Sequence, residues 1–196
     1  MTRMDRETAE ARVLEAAEEL FYARGVQTVS MAEIRAAAGV SLKRLYQLFP
    51  SKDALVAEFL RRHDQWRREA LSAYVDSHGD TPRERILAVF DWQYTWFSRP
   101  DFRGCAFTNC YGELGATWPM VVEATRAHKT AVREYLGELV TAAGEPAWLT
   151  GQLELLAQGA IVTAAIFGSP EPARQAREAA RTLLEAVGAI QAGQGE

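Results

Sequence analysis

Arg35, Lys43, Arg44 and Lys52 are the charged residues between Ile34 and Lys52, and no acid lies among them. The whole chain of 196 residues has a formal net charge of −4, so this stretch is a local patch of opposite sign. Ser30, Ser41, Tyr46 and Ser51 add hydroxyls within it or at its edges. Guanidinium and ammonium groups beside hydroxyl donors are suited to binding oxyanions, phosphate above all. Four cations by themselves also describe a solvated helix surface, so the patch must be weighed against the elements that carry it.

Other chemistry is thinly represented. Cys105 and Cys110 make neither a disulfide framework nor a zinc pattern, and His63, His78 and His128 stand far apart. P-loop, GxGxxG, GxSxG and HExxH motifs do not occur. No cofactor and no metal are expected. A helical enzyme with Glu113 or His128 as acid or base has no catalytic motif behind it and ranks last. With 48% hydrophobic and 24% charged residues, the chain has the composition of a filled core, not of disorder. No run of about eighteen apolar residues marks a membrane span, and the polar start MTRMDRETAEAR does not read as a secretion signal. A cytoplasmic protein without membrane contact is expected.

Almost every segment reads as helix. Val13, Leu14, Ala17, Leu20 and Phe21 recur at helical spacing in a first helix that stops at Arg24-Gly25. Ser30-Met31-Ala32-Glu33 is a capping-box pattern for a short second helix ending near Ala37. Gly39 permits a turn, Ser41 caps a third helix through Phe49, and Pro50 breaks the chain before Ser51 caps a fourth. Thr81-Pro82-Arg83-Glu84 opens a fifth, with Ile86, Val89, Phe90, Gln93 and Phe97 on one face and Arg99-Pro100 past its end. A short sixth helix over Ala106 to Leu114, a seventh from about Pro119 to Ala143, and helices near 147–167 and 171–190 follow, with fraying over 192–196. The expected fold class is all-α with about nine helices. Residues 1–50 form a three-helix helix-turn-helix domain, and residues 51–196 a larger helical domain for ligand binding and dimerisation.

Helices two and three are joined by Ala38-Gly39-Val40, the glycine-bearing turn of a helix-turn-helix. Ala37, Val40, Leu45 and Phe49 are expected to anchor this unit on the first helix. Ser41, Leu42, Lys43, Arg44 and Tyr46 are then left for a DNA major groove and its rims. The N-termini of helices two and four offer unpaired N–H groups to phosphates, with Ser30 and Lys52 beside them.

Through these residues the chain resembles the tetracycline-repressor (TetR) family of transcriptional regulators. Gly25, Ser30, Ile34, Ala38-Gly39-Val40-Ser41, Leu45-Tyr46, Phe49, Ser51-Lys52 and Leu55 carry the resemblance, over about residues 10–55 and with its spacing intact. It implies an N-terminal DNA-binding domain, a helical ligand-binding and dimerisation domain, and a repressor released from its double-stranded DNA operator by a small-molecule effector. It also implies that Ser30, Ser41, Tyr46 and Lys52 contact phosphates, while Leu42, Lys43 and Arg44 read bases. Leu48 stands where the family often has a ring, and Arg35, where alanine is common, is the candidate replacement for that contact.

Residues 90–118 hold nine aromatic side chains. Phe90, Tyr94 and Phe97 share a helical face and Trp92 and Trp96 line up beside it, a wider arc than a single packing surface needs. A ring-lined pocket with a few polar groups would use the excess, and the expected lining is Phe90, Tyr94, Cys105, Phe107, Asn109, Tyr111 and Trp118. Ordinary core packing competes for each ring. Cys105, after Gly104 at a helix start and near Arg103, is placed where a cysteine pKa falls. Gly104-Cys105, Asn109 and Glu113 are similar to a subset of TetR-like regulators, some of which sense oxidants or electrophiles through the cysteine. A buried structural thiol is the plainer alternative.

The stretch LELLAQGAIVTAAIF, residues 153–167, is apolar nearly all round, and Gly159, Ala160, Ala164 and Ala165 permit close helix approach. The last helix adds Ala176, Ala180, Leu183, Leu184 and Val187 on one stripe. Packed only on each other, the two helices leave an apolar side uncovered, which a two-fold four-helix bundle in a homodimer would cover. Burial by the fourth to seventh helices is the rival account.

Overall fold

A computed structural model describes residues 5–193, and every regular element among them is a helix. In chain order these are α1 (Arg6–Arg24), α2 (Met31–Ala38), α3 (Leu42–Leu48), α4 (Lys52–His78), α5 (Pro82–Phe97), α6 (Ala106–Leu114), α7 (Pro119–Ala142), α8 (Leu149–Phe167) and α9 (Glu171–Gly193). Of the tail expected to fray, α9 continues as far as Gly193, and 194–196 lie outside the described residues.

The ends of these helices are written locally. Asp5 accepts the Thr8 N–H at 2.7 Å and caps α1, which closes at Gly25 with φ +85°. Ser30 with Glu33, and Thr81 with Glu84, form reciprocal capping boxes at the starts of α2 and α5. A cap of this kind stabilises a helix by about 0.5–2 kcal/mol. Gly39 ends α2 in the left-handed region, φ 65°, where any β-carbon would be strained.

Contacts divide the chain into two compact units. One holds the N-terminal residues up to Gln65 together with Ala106–Ala127, and the other holds Trp66–Cys105 with the residues from His128 onward. The division passes through α4 and α7, and α6 is grouped with the N-terminal helices.

In the first unit, Val13, Ala17 and Phe21 of α1 are buried with Ile34 and Ala38 of α2, Leu45 of α3, Phe49, and Leu55, Val56 and Phe59 of α4. The Phe21 and Phe59 rings meet edge to face, 5.6 Å between centroids. Ala37, expected to anchor the turn, is exposed, and Ala38 takes the buried place. The inward face of α2 follows the i, i+4 pair Ile34–Ala38, so one position of error turns the side chain away by about 100°.

In the second unit α5 packs on α8 and α9, and α8 on α9. Ile86, Val89, Phe90, Gln93 and Phe97 are buried, as their spacing predicts. Leu149, Leu153, Ala157, Ala160, Ile161 and Ala164 form the buried face of α8. The small residues Ala160 and Ala164, and Ala176, Ala180, Leu184 and Val187 of α9, are therefore consumed inside the protomer. Facing outward on α8 are Leu155 at 74% exposure, Ile166 at 72% and Phe167 at 75%, with Val162 beside them. By length and composition alone α8 is apolar enough to cross a membrane. Its buried face against α5 and α9 is that of a helix packed in protein.

Candidate nucleic-acid interface

α3 has only seven residues, too few to hold together alone, and three features fix it. The Ser41 hydroxyl oxygen accepts the Arg44 N–H at 3.2 Å, Leu45 is wholly buried, and the Phe49 N–H closes the last turn on the Leu45 carbonyl at 2.8 Å. With Leu45 and Phe49 turned inward, Leu42, Lys43, Tyr46 and Gln47 are exposed and Arg44 is half-buried. Leu42 is 53% exposed and Tyr46 46%, on the same outward side as Lys43.

The flanking helix starts complete the surface. Ser30 is exposed at the start of α2, but its N–H and its hydroxyl both donate to Glu33 Oε2 at 2.8 Å. Those bonds, with Arg24 2.9 Å away, hold the Glu33 carboxyl down to about 2. Ser51 accepts the Ala54 N–H at the start of α4. Beside it Lys52 is half-buried, and its ammonium pKa is lowered by burial, against the opposing charges of Glu113, Glu33 and Asp53. Arg35 is half-buried on α2. Thus the eight residues expected at DNA fall in one stretch of chain: Ser30 caps α2, Arg35 lies on α2, Ser41 in the turn, Leu42, Lys43, Arg44 and Tyr46 on α3, and Lys52 at the start of α4.

The seven expected effector residues are split between the units. Phe90, Tyr94 and Cys105 belong to the second, and Phe107, Asn109, Tyr111 and Trp118 to the first. Phe90 and Phe107 are fully buried, Tyr94 and Trp118 half-buried, Asn109 and Tyr111 exposed. Three clefts are defined by their linings: one of about 580 Å³ between α4 and α7, a smaller groove beside α3, and an open apolar groove on α8 and α9. None of these three is lined by the expected effector residues.

The second unit holds polar groups that the sequence did not reveal. Lys129 Nζ lies 3.5 Å from Cys105 Sγ and donates to Gln158 Oε1 at 2.6 Å. Gln93 donates to the Ala157 carbonyl, while its own Oε1 is buried without a partner. The Arg67 guanidinium, 8% exposed, sits 3.5 Å over the Trp96 ring. Tyr94 carries Arg174 over its face at 4.1 Å. Both cysteines are buried and free. These pairs join separate helices, so no local spacing announces them.

Residues 13–59 match the family described as bacterial regulatory proteins, tetR family. No curated protein matches the sequence significantly. Among solved structures, a TetR-type transcriptional regulator of Streptomyces avermitilis is 31% identical, with 91% of this chain and 97% of that chain covered and a TM-score of 0.73. The chain belongs to the TetR family. A TetR-family regulator of Streptomyces coelicolor, 26% identical over 92% of this chain and 96% of that one, has a TM-score of 0.81. The reduced form of E. coli NemR shares the fold at a TM-score of 0.78, with 23% identity and coverage of 89% and 96%. As a TetR-family member the chain is a DNA-binding transcriptional regulator and not an enzyme.

Proposed function

We propose that the chain is a homodimeric cytoplasmic repressor that holds an operator through two copies of α3 and is released by a small, largely apolar or aromatic effector. The observation that carries this reading is the outward side of α3, basic and aromatic, set on the buried anchors Leu45 and Phe49. Ser30, Ser41, Tyr46 and Lys52 contact phosphates, Leu42, Lys43 and Arg44 meet base edges, and Arg35 supports the backbone grip. Residues 1–50 act as the DNA-binding domain and the remainder serves effector binding and assembly. The exposed row Leu155, Val162, Ile166 and Phe167 on α8 supports pairing with a second copy, because water-exposed apolar side chains in a row are stabilised when an identical face covers them.

The effector is recognised in the second unit, where Tyr94 offers a ring face and Gln93 a buried acceptor that lacks a donor. A ligand moves such a regulator only through different affinities for its two conformations. An aromatic effector is therefore expected to quench tryptophan fluorescence and weaken operator binding, and operator to weaken effector binding by the same factor. Fluorescence and anisotropy titrations on the same protein check both arms. Compounds that quench the tryptophans yet leave operator affinity untouched would refute the effector reading.

A second reading has its own observation. Lys129 Nζ stands 3.5 Å from the Cys105 sulfur and donates to it, a polar contact to a thiol at the start of α6 that no disulfide uses. On this reading modification of Cys105 is the releasing signal. Cys105→Ser is expected to keep a reversible effector response and to abolish release by a thiol-reactive reagent, as read by anisotropy with mass spectrometry of the adduct.

A further inference from the structure

Glu113 stands where a helix prefers not to place an acid. It lies in the last turn of α6, where the partial negative charge of the helix C-terminus repels a carboxylate. It is also the foremost of the acidic charges acting on Lys52, within the basic surface that meets DNA. Both placements cost free energy, and a residue that breaks a local rule in this way usually has a tertiary reason.

That reason is a contact with the loop between α1 and α2. Glu113 Oε2 accepts the backbone N–H of Gln27 at 2.9 Å, and the Gln27 carboxamide donates back to the Glu113 carbonyl. The carboxylate lies flat on Gly25: a β-carbon built there would stand 2.7 Å from Oε1 and 3.0 Å from Oε2. Gly25 is therefore glycine twice over, for its φ of +85° and for the closeness of Glu113. Three residues after Gln27, Ser30 caps α2, and Ser30 is tied through Glu33 to Arg24 at the end of α1. Gln27 thus sits in the middle of the segment that sets where α2 begins.

We propose that Glu113 is a positioning residue for DNA binding: from α6 it clamps the Gln27 amide and so holds the start of α2, with Ser30, in its DNA-competent place. α6 begins directly after Cys105, so the clamp also gives a displacement of α6 a route to the DNA-binding helices. The proposal rests on the DNA-binding reading of α2 to α4 and not on the identity of the effector.

Simple electrostatics makes the opposite prediction, which separates the two accounts. If Glu113 is only a negative charge beside Lys52, both Glu113→Ala and Glu113→Gln remove a repulsion of phosphate and bind DNA more tightly. If Glu113 is a clamp, the alanine loses the acceptor for the Gln27 N–H, whereas the glutamine keeps a side-chain oxygen there. The test uses full-length wild type, Glu113→Ala, Glu113→Gln and Glu113→Asp, whose arm is one methylene short. The probe is the duplex that the wild type selects most strongly from a random pool. Glu113→Ala and Glu113→Asp are expected to weaken duplex binding by roughly tenfold or more, the value of one charge-assisted hydrogen bond. They are also expected to speed hydrogen exchange at the Gln27 amide, read by NMR, without changing the salt slope of binding. Glu113→Gln is expected to keep Gln27 protected and to bind at least as well as wild type. Tighter or equal duplex binding by the alanine and aspartate variants overturns the proposal, as does weaker binding with Gln27 exchange unchanged. Should the alanine variant not fold, the aspartate variant carries the same comparison. If the wild type selects no duplex, the DNA-binding reading fails first, and that result is distinct from either of the others.

Discussion

Ile166→Glu is expected to convert a dimeric protein into a folded monomer that has lost its operator. Ile166 is 72% exposed in the protomer and next to Phe167 at 75%, so folding alone loses little; surface changes of this kind stay within about 0.5 kcal/mol. In a two-fold contact the same face meets itself, and each substitution places two carboxylates where two apolar side chains met. Burying two unpaired groups at about 1–3 kcal/mol each, about 2–6 kcal/mol together, raises the dimer dissociation constant by about thirtyfold or more. Operator affinity is expected to fall by at least about a hundredfold, since a monomer holds one half-site without the linked second contact. Ala164→Glu is the contrasting variant. Ala164 is fully buried in the protomer, and a carboxylate there is an uncompensated interior charge costing about 3–5 kcal/mol, so this variant unfolds instead of dissociating. Sedimentation velocity and thermal melting distinguish the two. A wild type already monomeric at micromolar concentration would remove the basis for both expectations.

Arg44→Ala is expected to relax sequence preference at one base pair of each half-site and cost about 1–3 kcal/mol, roughly 5- to 150-fold in affinity. Half-buried on α3, with its backbone N–H held by Ser41, Arg44 carries a guanidinium whose fork matches a guanine edge in two hydrogen bonds. Lys52→Ala behaves differently. With its ammonium at the start of α4 and a proposed phosphate partner, its loss is expected to weaken all sequences alike and flatten the salt dependence by about one counterion. Affinity for a panel of single-base variants, measured at several salt concentrations, separates base reading from backbone grip. A Lys52→Ala protein with an unchanged salt slope would remove Lys52 from the phosphate contacts, and an Arg44→Ala protein with unchanged base preference would remove Arg44 from direct readout.

The sequence by itself determined where the helices start and stop. Ser30 with Glu33, Thr81 with Glu84, Gly25 and Gly39 each act within four residues of themselves, through hydrogen bonds and backbone angles that local spacing encodes. Leu45, Phe49 and the four cations around them are legible for the same reason: one turn of helix sets what is inside and what is out. Tertiary structure decided the rest. An all-apolar helix such as α8 has no polar stripe to declare its inner face, so only its packing on α5 and α9 shows that Ala164 is interior and Ile166 exterior. The short α2 turned on a single position, Ala38 over Ala37, which periodicity cannot resolve over eight residues. Glu113 meets Gln27 across 86 positions and Lys129 meets Gln158 across 29, distances at which neither residue leaves a mark on the spacing around the other. Such contacts exist only once the helices have packed, because packing alone brings their ends together.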